Sequence, residues 1–257
     1  MERLVPSTRL VEFSNPSVSK TGRPQIHPSA FVSPSSSVIG GAEIGAGSSV
    51  WYNAVVRADV NTLSIGSGSS IGDGCTVHVA KIAGDFGTKI GHDVTVSAGG
   101  VVHACEVGDR VHLGVGSQVL DGAVVGNDVM ILPGSVVTPG TKVGDGEVWG
   151  GNPAKMLRKT TEAEKKFILD TAERNVELAR LHKEENEKDY LQVQEDEEMR
   201  RDVAERDPEY FQWGEHNSNV EDVIDRGVNM GEPGQLFENT LESAHGTGKE
   251  DPTNNPR

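Results

Sequence analysis

A six-residue repeat runs through more than half of this chain, and it restricts the possible folds more than any other feature. In each repeat an aliphatic residue is usually followed by glycine or another small residue. Short insertions and one five-residue step interrupt the period, which then resumes. The nineteen residues in this register are Val32, Val38, Ile44, Val50, Val56, Ile65, Ile71, Val77, Ile90, Val96, Val102, Val107, Leu113, Val119, Val125, Ile131, Val137, Val143 and Trp149.

Such a period is the signature of a parallel β-helix built from hexapeptides. Each hexapeptide forms a short strand and a turn, and three of them close one triangular coil whose aliphatic side chains stack inside. We therefore predict a β-helix of roughly six coils over residues 31–153. The glycines of the repeat are then turn and core residues, and none is a candidate for a phosphate-binding loop.

The remaining residues divide into three predicted regions: an N-terminal arm (1–30), C-terminal helices (154–213) and an acidic polar tail (214–257) that becomes ordered only with partners. A first helix is expected to begin near Thr160 and to lie along one face of the β-helix. A second helix is predicted around 190–205, followed by an aromatic cluster at 210–213. The apolar residues of the first helix are Phe167, Ile168, Thr171, Ala172, Val176, Ala179 and Leu181.

Charge and cysteine content exclude several classes of protein. Residues 1–159 hold 12 Lys and Arg against 13 Asp and Glu, whereas residues 160–257 hold 12 against 26. Nucleic-acid binding needs clustered cations, so we expect no nucleic-acid partner. Two cysteines cannot form a disulfide scaffold, and Cys75 falls on an inward position where a buried thiol is expected. We also expect neither a secretory signal nor a membrane span.

The repeat places one arginine and two histidines on the same outer face of the predicted β-helix. Three hexapeptide steps separate Val56 from Val77 and Val77 from Val102, so these residues should stack, and the residues that follow them should point outward. Those residues are Arg57, His78 and His103, about 4.8 Å apart from coil to coil. Two histidines at this spacing can bind one divalent metal. They can equally be two exposed histidines on a polar face, and the pattern alone does not decide.

Four segments are similar to γ-class carbonic anhydrases. They are Arg-x-Asp-x-Asn at 57–61, Asp-x4-His ending at His78, Val-His ending at His103, and Gly-Asn-Pro-Ala-Lys at 151–155. The resemblance covers about residues 25–180. It implies a trimer of left-handed parallel β-helices with zinc at each subunit interface. In that family two zinc ligands come from one chain, matching His78 and His103, and the third comes from the neighbouring chain.

This chain departs from the family at two positions. The third histidine should stand five residues before His103, where this chain has Ala98. Active members have a glutamine that orients the metal-bound hydroxide, and this chain has Gly72 in its place. By the count of repeats, His92 falls on a different face and His112 in another coil, so neither is an obvious substitute for the missing ligand.

The assembly residues of the family are retained. Arg57, Asp59 and Asp73 match residues that form ion pairs and hydrogen bonds between its subunits. A homotrimer of this chain would offer two histidines to each zinc, so we expect weak zinc binding and little hydration of carbon dioxide. In a heterotrimer, a complete homologue could supply the third ligand at one interface.

Incomplete chains of this kind resemble the γ-carbonic-anhydrase-like subunits on the matrix side of mitochondrial respiratory complex I. The resemblance therefore implies a structural or assembly role in a heterotrimer on the membrane arm, with no catalysis by the chain itself. Two alternatives remain open. One is an active zinc-dependent carbonic anhydrase. The other is a hexapeptide acyltransferase in which His78 or His103 acts as a general base.

Overall fold

The computed structural model describes residues 9–12, 22–81 and 87–205, and these form a left-handed parallel β-helix followed by two α-helices. The β-helix has three faces. We name them A, B and C in the order in which the chain passes through them in each coil. Seven parallel strands lie on each face of the described part of the chain.

The strands are assigned to the faces as follows. Face A contains β1 (Arg9–Val11), the first half of β4 (Ser37–Ile44), the first half of β6 (Val55–Ile65), β8 (Thr76–His78), β11 (Val101–His103), β14 (Gln118–Val119) and β17 (Val136–Val137). Face B contains β2 (Gln25–Ile26), the second halves of β4 and β6, β9 (Thr88–Ile90), β12 (Glu106–Val107), β15 (Val124–Val125) and β18 (Lys142–Val143). Face C contains β3 (Phe31–Val32), β5 (Ser49–Val50), β7 (Ser70–Ile71), β10 (Thr95–Val96), β13 (His112–Leu113), β16 (Met130–Ile131) and β19 (Glu147–Gly150). A last strand, β20 (Lys155–Lys159), pairs antiparallel with β19.

The predicted register of the repeat is confirmed. Val56 pairs with Val77, and Val77 pairs with Val102, so the three valines stack as expected. Seventeen of the nineteen repeat residues are buried, and Val32 and Trp149, at the two ends of the repeat, are half-buried. The chain makes about one coil more than the repeat indicated, because the strands β1 and β2 precede the first repeat position.

Both cysteines are core residues. Cys75 is fully buried, as predicted, and its thiol donates a hydrogen bond to the carbonyl of Ser97 at 3.1 Å. Cys105 is also buried. Burial raises the pKa of Cys75 to about 11 and the pKa of Cys105 to about 12. Both thiols are therefore neutral at physiological pH, and neither is available as a nucleophile or thiolate ligand.

The first helix, α1 (Glu162–Glu187), packs on face C against β3, β5, β7 and β10, which confirms its predicted place along the β-helix. Its buried stripe consists of Ile168, Ala172 and Ala179. Phe167 and Leu181 are 48% and 43% exposed, so the predicted apolar stripe was too wide. Small alanines in the stripe let the helix approach the sheet closely, and this leaves its larger flanking side chains outside the contact.

An aromatic cluster attaches the C-terminal half of α1 to the first coils. Phe31, Trp51 and Tyr52 surround the ring of His182, with centroids 5.0 to 6.0 Å away. The hydroxyl of Tyr52 lies 2.9 Å from Nδ1 of His182 and also accepts a hydrogen bond from Asn186 at 3.2 Å. These contacts hold α1 over face C at a defined height along the β-helix.

A capping box begins α1. The Thr161 side chain accepts a hydrogen bond from the backbone N–H of Glu164, and the Glu164 carboxylate accepts one from the backbone N–H of Thr161. The Arg158 guanidinium, and after it the Thr161 N–H, lower the pKa of Glu164 from 4.5 to about 2. The carboxylate of Glu164 thus joins β20 to the helix start.

We expect the stabilisation from Glu164 to disappear in acid. A carboxyl group whose pKa is lower in the folded state contributes fully above its unfolded pKa of 4.5 and loses the contribution as the pH falls towards about 2. The melting temperature of the wild-type chain should therefore exceed that of Glu164→Gln at pH 6, and the difference should shrink at pH 2.5. A difference that is the same at both pH values would contradict this assignment. The effect should be modest because water screens the pair.

The second helix, α2 (Tyr190–Glu205), has the bounds that the sequence indicated. The described residues 191–205 belong to a unit separate from the described residues up to 190. The predicted aromatic cluster at 210–213 and the polar tail at 214–257 lie outside the described residues. Neither helix of the described ranges is long and apolar enough to cross a membrane.

Candidate functional site

The outer surface of face A carries the predicted column. Arg57 pairs with His78, and His78 pairs with His103, each from one coil to the next. All three side chains follow an inward valine, so the alternation of the strand turns them outward. The face-A strand of each coil runs from the corner with face C, here named the CA edge, to the corner with face B, here named the AB edge. The two histidines end their strands at the AB edge.

Each histidine donates a hydrogen bond to a carboxylate through the nitrogen that faces away from the other histidine. His78 Nε2 lies 3.1 Å from Oδ1 of Asp59, and His103 Nδ1 lies 3.1 Å from Oδ2 of Asp121. An ionised carboxylate only accepts hydrogen bonds, so these two nitrogens carry the ring protons. Asp59 also forms a 3.2 Å ion pair with Nε of Arg57.

The other two ring nitrogens face each other. Nδ1 of His78 and Nε2 of His103 are 3.2 Å apart, and the carboxylates leave both with a lone pair when the rings are neutral. Two nitrogens bound to one tetrahedral zinc at about 2.0–2.1 Å lie about 3.3 Å apart. The pair therefore has the spacing of two ligands on one zinc, and each ring has the carboxylate partner that is common behind metal-bound histidines.

Burial lowers the pKa of His78, and the hydrogen bond to Asp59 acts in the opposite direction. The side chain of His78 is 18% exposed and that of His103 is 30% exposed, so both rings are partly open to solvent. Nη2 of Arg57 also lies 3.5 Å from Nδ1 of His78. A neutral imidazole is the form that binds metal. The local electrostatics therefore favour the ligand form of His78.

The second group of predicted positions lies at the CA edge. Ala98 is exposed in the turn before β11, whereas His103 ends that strand. The N–H of Gly99 donates to the carbonyl of Asp73, which stacks the Ala98 turn on the Gly72–Asp73 turn. A side chain at position 98 is therefore at the opposite edge of face A from the two histidines. It cannot complete their site within one chain.

Gly72 is tightly enclosed at this edge. A Cβ atom at this position would lie 2.7 Å from the carbonyl oxygen of Val96 and 2.9 Å from the nitrogen of Ala98. Any larger residue here needs a shift of the backbone at 96–98. Asp73 accepts a hydrogen bond from the N–H of Tyr52 at 3.0 Å and is otherwise exposed.

His92 and His112 lie away from the histidine pair. His92 follows a face-B strand, and its Nδ1 accepts a hydrogen bond from the N–H of Ser67 at 2.9 Å. His112 lies on face C under α1, with its ring 5.5 Å from that of Phe167, and burial lowers its pKa. Neither histidine contacts the pair at the AB edge, in agreement with the positions predicted from the repeat.

Within the described residues, no group of three His, Cys, Asp or Glu side chains is arranged to hold a metal ion. The face-A arrangement therefore offers two ligands at one edge and a position for a third at the other.

Sequence reasoning missed Asp121. In the next coil, the residue that continues the column of Arg57, His78 and His103 is Leu120. Asp121 comes one residue later, where the strand has ended and the turn begins. The position of this turn, one coil beyond His103 in the same column, is the signal that could have identified Asp121.

No protein-family model matches the chain. Gamma carbonic anhydrase 2, a mitochondrial protein of Arabidopsis thaliana, is 44% identical over 190 residues, which are 73% of this chain and 68% of that protein. Mitochondrial gamma carbonic anhydrase 1 of the same plant is also 44% identical over 190 residues, 73% of this chain and 69% of that protein.

A solved structure gives the same fold. The crystal structure of a hexapeptide transferase family protein from Anaplasma phagocytophilum has a TM-score of 0.58 and 37% sequence identity, and the match covers 61% of this chain and 91% of that one. The β-helix, the motifs of face A and the identity over most of the length agree. This chain belongs to the gamma carbonic anhydrase family.

Proposed function

We propose that this chain is a non-catalytic subunit of a heterotrimer of gamma carbonic anhydrase chains, with a structural or assembly role on the matrix side of mitochondrial complex I. The observation that carries the proposal is Ala98. Its edge of face A is where the family implies a donated histidine, and alanine has no ligand atom. An interface that uses this edge cannot complete a three-histidine site.

The opposite edge retains its half of the site. His78 and His103 would hold a zinc ion through their facing nitrogens if a neighbouring chain donated a third histidine. Zinc with three protein ligands and an open position activates a bound water near neutral pH. Gly72 stands where active members carry the orienting glutamine, so even a completed site would lack that residue. We therefore propose at most one zinc site per assembly involving this chain, with a structural role.

Homologous chains are the proposed trimer partners, because the chain has the family's assembly residues Arg57, Asp59 and Asp73. Asp59 links Arg57 to His78, with 3.2 Å to the guanidinium and 3.1 Å to the imidazole. Arg57 is 46% exposed and pairs with one carboxylate of its own chain. Its guanidinium can therefore donate further hydrogen bonds to an acidic side chain of a neighbouring chain. The two Arabidopsis relatives are mitochondrial proteins by name, which supports a mitochondrial location.

The proposed place in complex I is supported by the resemblance of incomplete family members to subunits of that complex. The excess of acidic residues after position 160 suits a C-terminal region that contacts partner subunits, since a long polar segment needs partner surface to offset its ordering entropy.

Native electrophoresis tests the assembly. Mitochondrial membranes are solubilised in mild detergent, separated without denaturation and probed with an antibody to this chain. We expect the chain to migrate with a very large membrane complex that contains other family members. Migration only as a soluble trimer, near three times 27.4 kDa, would contradict the complex I assignment.

An active carbonic anhydrase is the second candidate, and one observation favours it. The convergent histidine pair keeps both carboxylate partners, as a working metal site requires. This candidate expects zinc-dependent hydration of carbon dioxide by the purified chain alone, whereas the structural proposal expects none.

A further inference from the structure

We propose that Asp121 is a positioning residue of the metal half-site: it holds His103 in the tautomer whose proton is on Nδ1, so that Nε2 is free to bind metal. The inference rests on the proposed zinc site and adds a residue outside the family motifs described above. It starts from the 3.1 Å contact between Oδ2 of Asp121 and Nδ1 of His103.

The backbone around Asp121 is fixed by the neighbouring coils on both sides. The N–H of Gly122 donates to the carbonyl of Ala104 at 2.7 Å, and the N–H of Gly140 donates to the carbonyl of Asp121 at 2.8 Å. Ala104 follows His103 directly, and its N–H donates to the carbonyl of His78 at 3.0 Å. Asp121 and both histidines are thus connected through main-chain hydrogen bonds, and the carboxylate is held next to its imidazole.

Ala104 also adopts a left-handed backbone conformation, with φ of 49°. An alanine in this region is strained, because its Cβ comes close to the following carbonyl oxygen. Gly122 and Gly140 have φ of 65° and 70° at the corresponding turns of the next two coils. The turn geometry at the AB edge is therefore imposed by the coil, and it determines where His103 and Asp121 meet.

The tautomer matters because the two facing nitrogens are only 3.2 Å apart. If the proton of His103 moved to Nε2, this nitrogen would donate a hydrogen bond to Nδ1 of His78. That bond would occupy both ligand atoms and fill the space between them. Asp121 opposes this closure by accepting a hydrogen bond from Nδ1–H of His103, which keeps the proton on the far side of the ring, and Asp59 accepts the corresponding hydrogen bond from Nε2–H of His78.

If Asp121 had a mainly structural role, its removal would lower the free energy of unfolding. Its side chain is 42% exposed, however, and a pair with this exposure contributes little to folding stability. We therefore expect the free energy of unfolding to change little in Asp121→Ala. The tautomer of His103 is the property that separates a positioning role from an incidental surface contact.

The test uses the metal-free full chain with 15N-labelled histidine at pH 8, where nitrogen chemical shifts distinguish the two tautomers. The His103 signals are assigned by their loss in His103→Gln. In the wild type we expect the proton of His103 on Nδ1. In Asp121→Ala the shifts should move to those of the Nε2-protonated ring, and Asp121→Glu should restore part of the original state.

Glu106→Gln is the matched control. Glu106 is an exposed carboxylate on the following strand, and like Asp121 it acts electrostatically on Cys105, so its loss removes a nearby negative charge without removing the contact to His103. The tautomer should not change in this variant.

Unchanged His103 shifts in Asp121→Ala would overturn the proposal. If that variant does not fold, Asp121→Asn gives the same test, because a neutral amide accepts the proton more weakly, and unchanged shifts there would also overturn it.

Zinc affinity provides a second readout. Loss of a carboxylate partner behind a metal-bound histidine typically lowers affinity about 10–100-fold, and we expect this for Asp121→Ala in a competition titration with zinc alone. Equal affinities of wild type and variant would overturn the metal role. Both measurements use the isolated chain, so their outcome is independent of whether the chain migrates with complex I.

Discussion

Replacement of Ala98 by histidine is expected to raise the zinc affinity of the purified full chain by more than about 100-fold, because a direct ligand should matter at least as much as the partners behind it. In a homotrimer of the purified variant the new imidazole would meet His78 and His103 of a neighbouring copy of the chain. Ala98 is exposed in its turn, so the larger side chain needs no room in the core. Competition titration with a zinc indicator measures the change.

Val115→His is the matched control for this experiment. The N–H of Gly116 donates to the carbonyl of Ala98, so Val115 occupies the same place in the turn one coil further along, and it is 58% exposed. A histidine there is displaced by about 4.8 Å along the β-helix and should add no comparable affinity. Equal gains in both variants, or no gain in Ala98→His, would contradict the assignment of Ala98 as the lost ligand position.

Carbon dioxide hydration separates the two candidate functions in the same material. If the wild type is inactive and Ala98→His acquires activity, the wild-type chain is not a carbonic anhydrase by itself. Activity of the wild type that the variant does not improve would favour the enzyme. Gly72→Gln is a poor second repair, since a Cβ at this position collides with the backbone at 96–98.

Leu113→Ala is expected to lower the free energy of unfolding by about 2–5 kcal/mol. Leu113 is 1% exposed and stands in the middle of the face-C column, paired with Val96 on one side and Ile131 on the other. The neighbouring coils are tied by backbone hydrogen bonds and cannot collapse into the cavity. Urea unfolding at one fixed protein concentration measures the loss, since oligomers unfold in a concentration-dependent way.

Val115→Ala, two residues later in the same coil, provides the comparison. Its side chain is 58% exposed, so we expect a change within about 0.5 kcal/mol. Losses of similar size in the two variants would show that the column does not carry the stability of the β-helix.

Several features could be predicted from the sequence because the backbone of a β-helix is periodic. Once the six-residue step is read, with its insertions counted, the pairing of Val56, Val77 and Val102 follows, and so does the column of Arg57, His78 and His103. The bounds of α2 followed from its helical composition. The fold and the register are thus determined by short-range hydrogen-bonding and packing rules that repeat from coil to coil.

Other features depend on side-chain directions at turns, for which the repeat carries no information. Asp121 leaves the strand and turns towards His103, and the stripe of α1 narrows to Ile168, Ala172 and Ala179. The sequence also did not show how the candidate positions are distributed over the face. The tertiary structure places Ala98 and His103 at opposite edges of face A.

The sequence by itself therefore determined the β-helix, its register and the two histidines that share a face. Only the tertiary structure decided which nitrogens of those histidines face each other, which carboxylates contact them, and that Ala98 lies at the other edge of the face. The physical reason is that periodic backbone pairing fixes which coils are adjacent, whereas ring orientation and hydrogen-bond partners depend on the turns and on side chains from other coils.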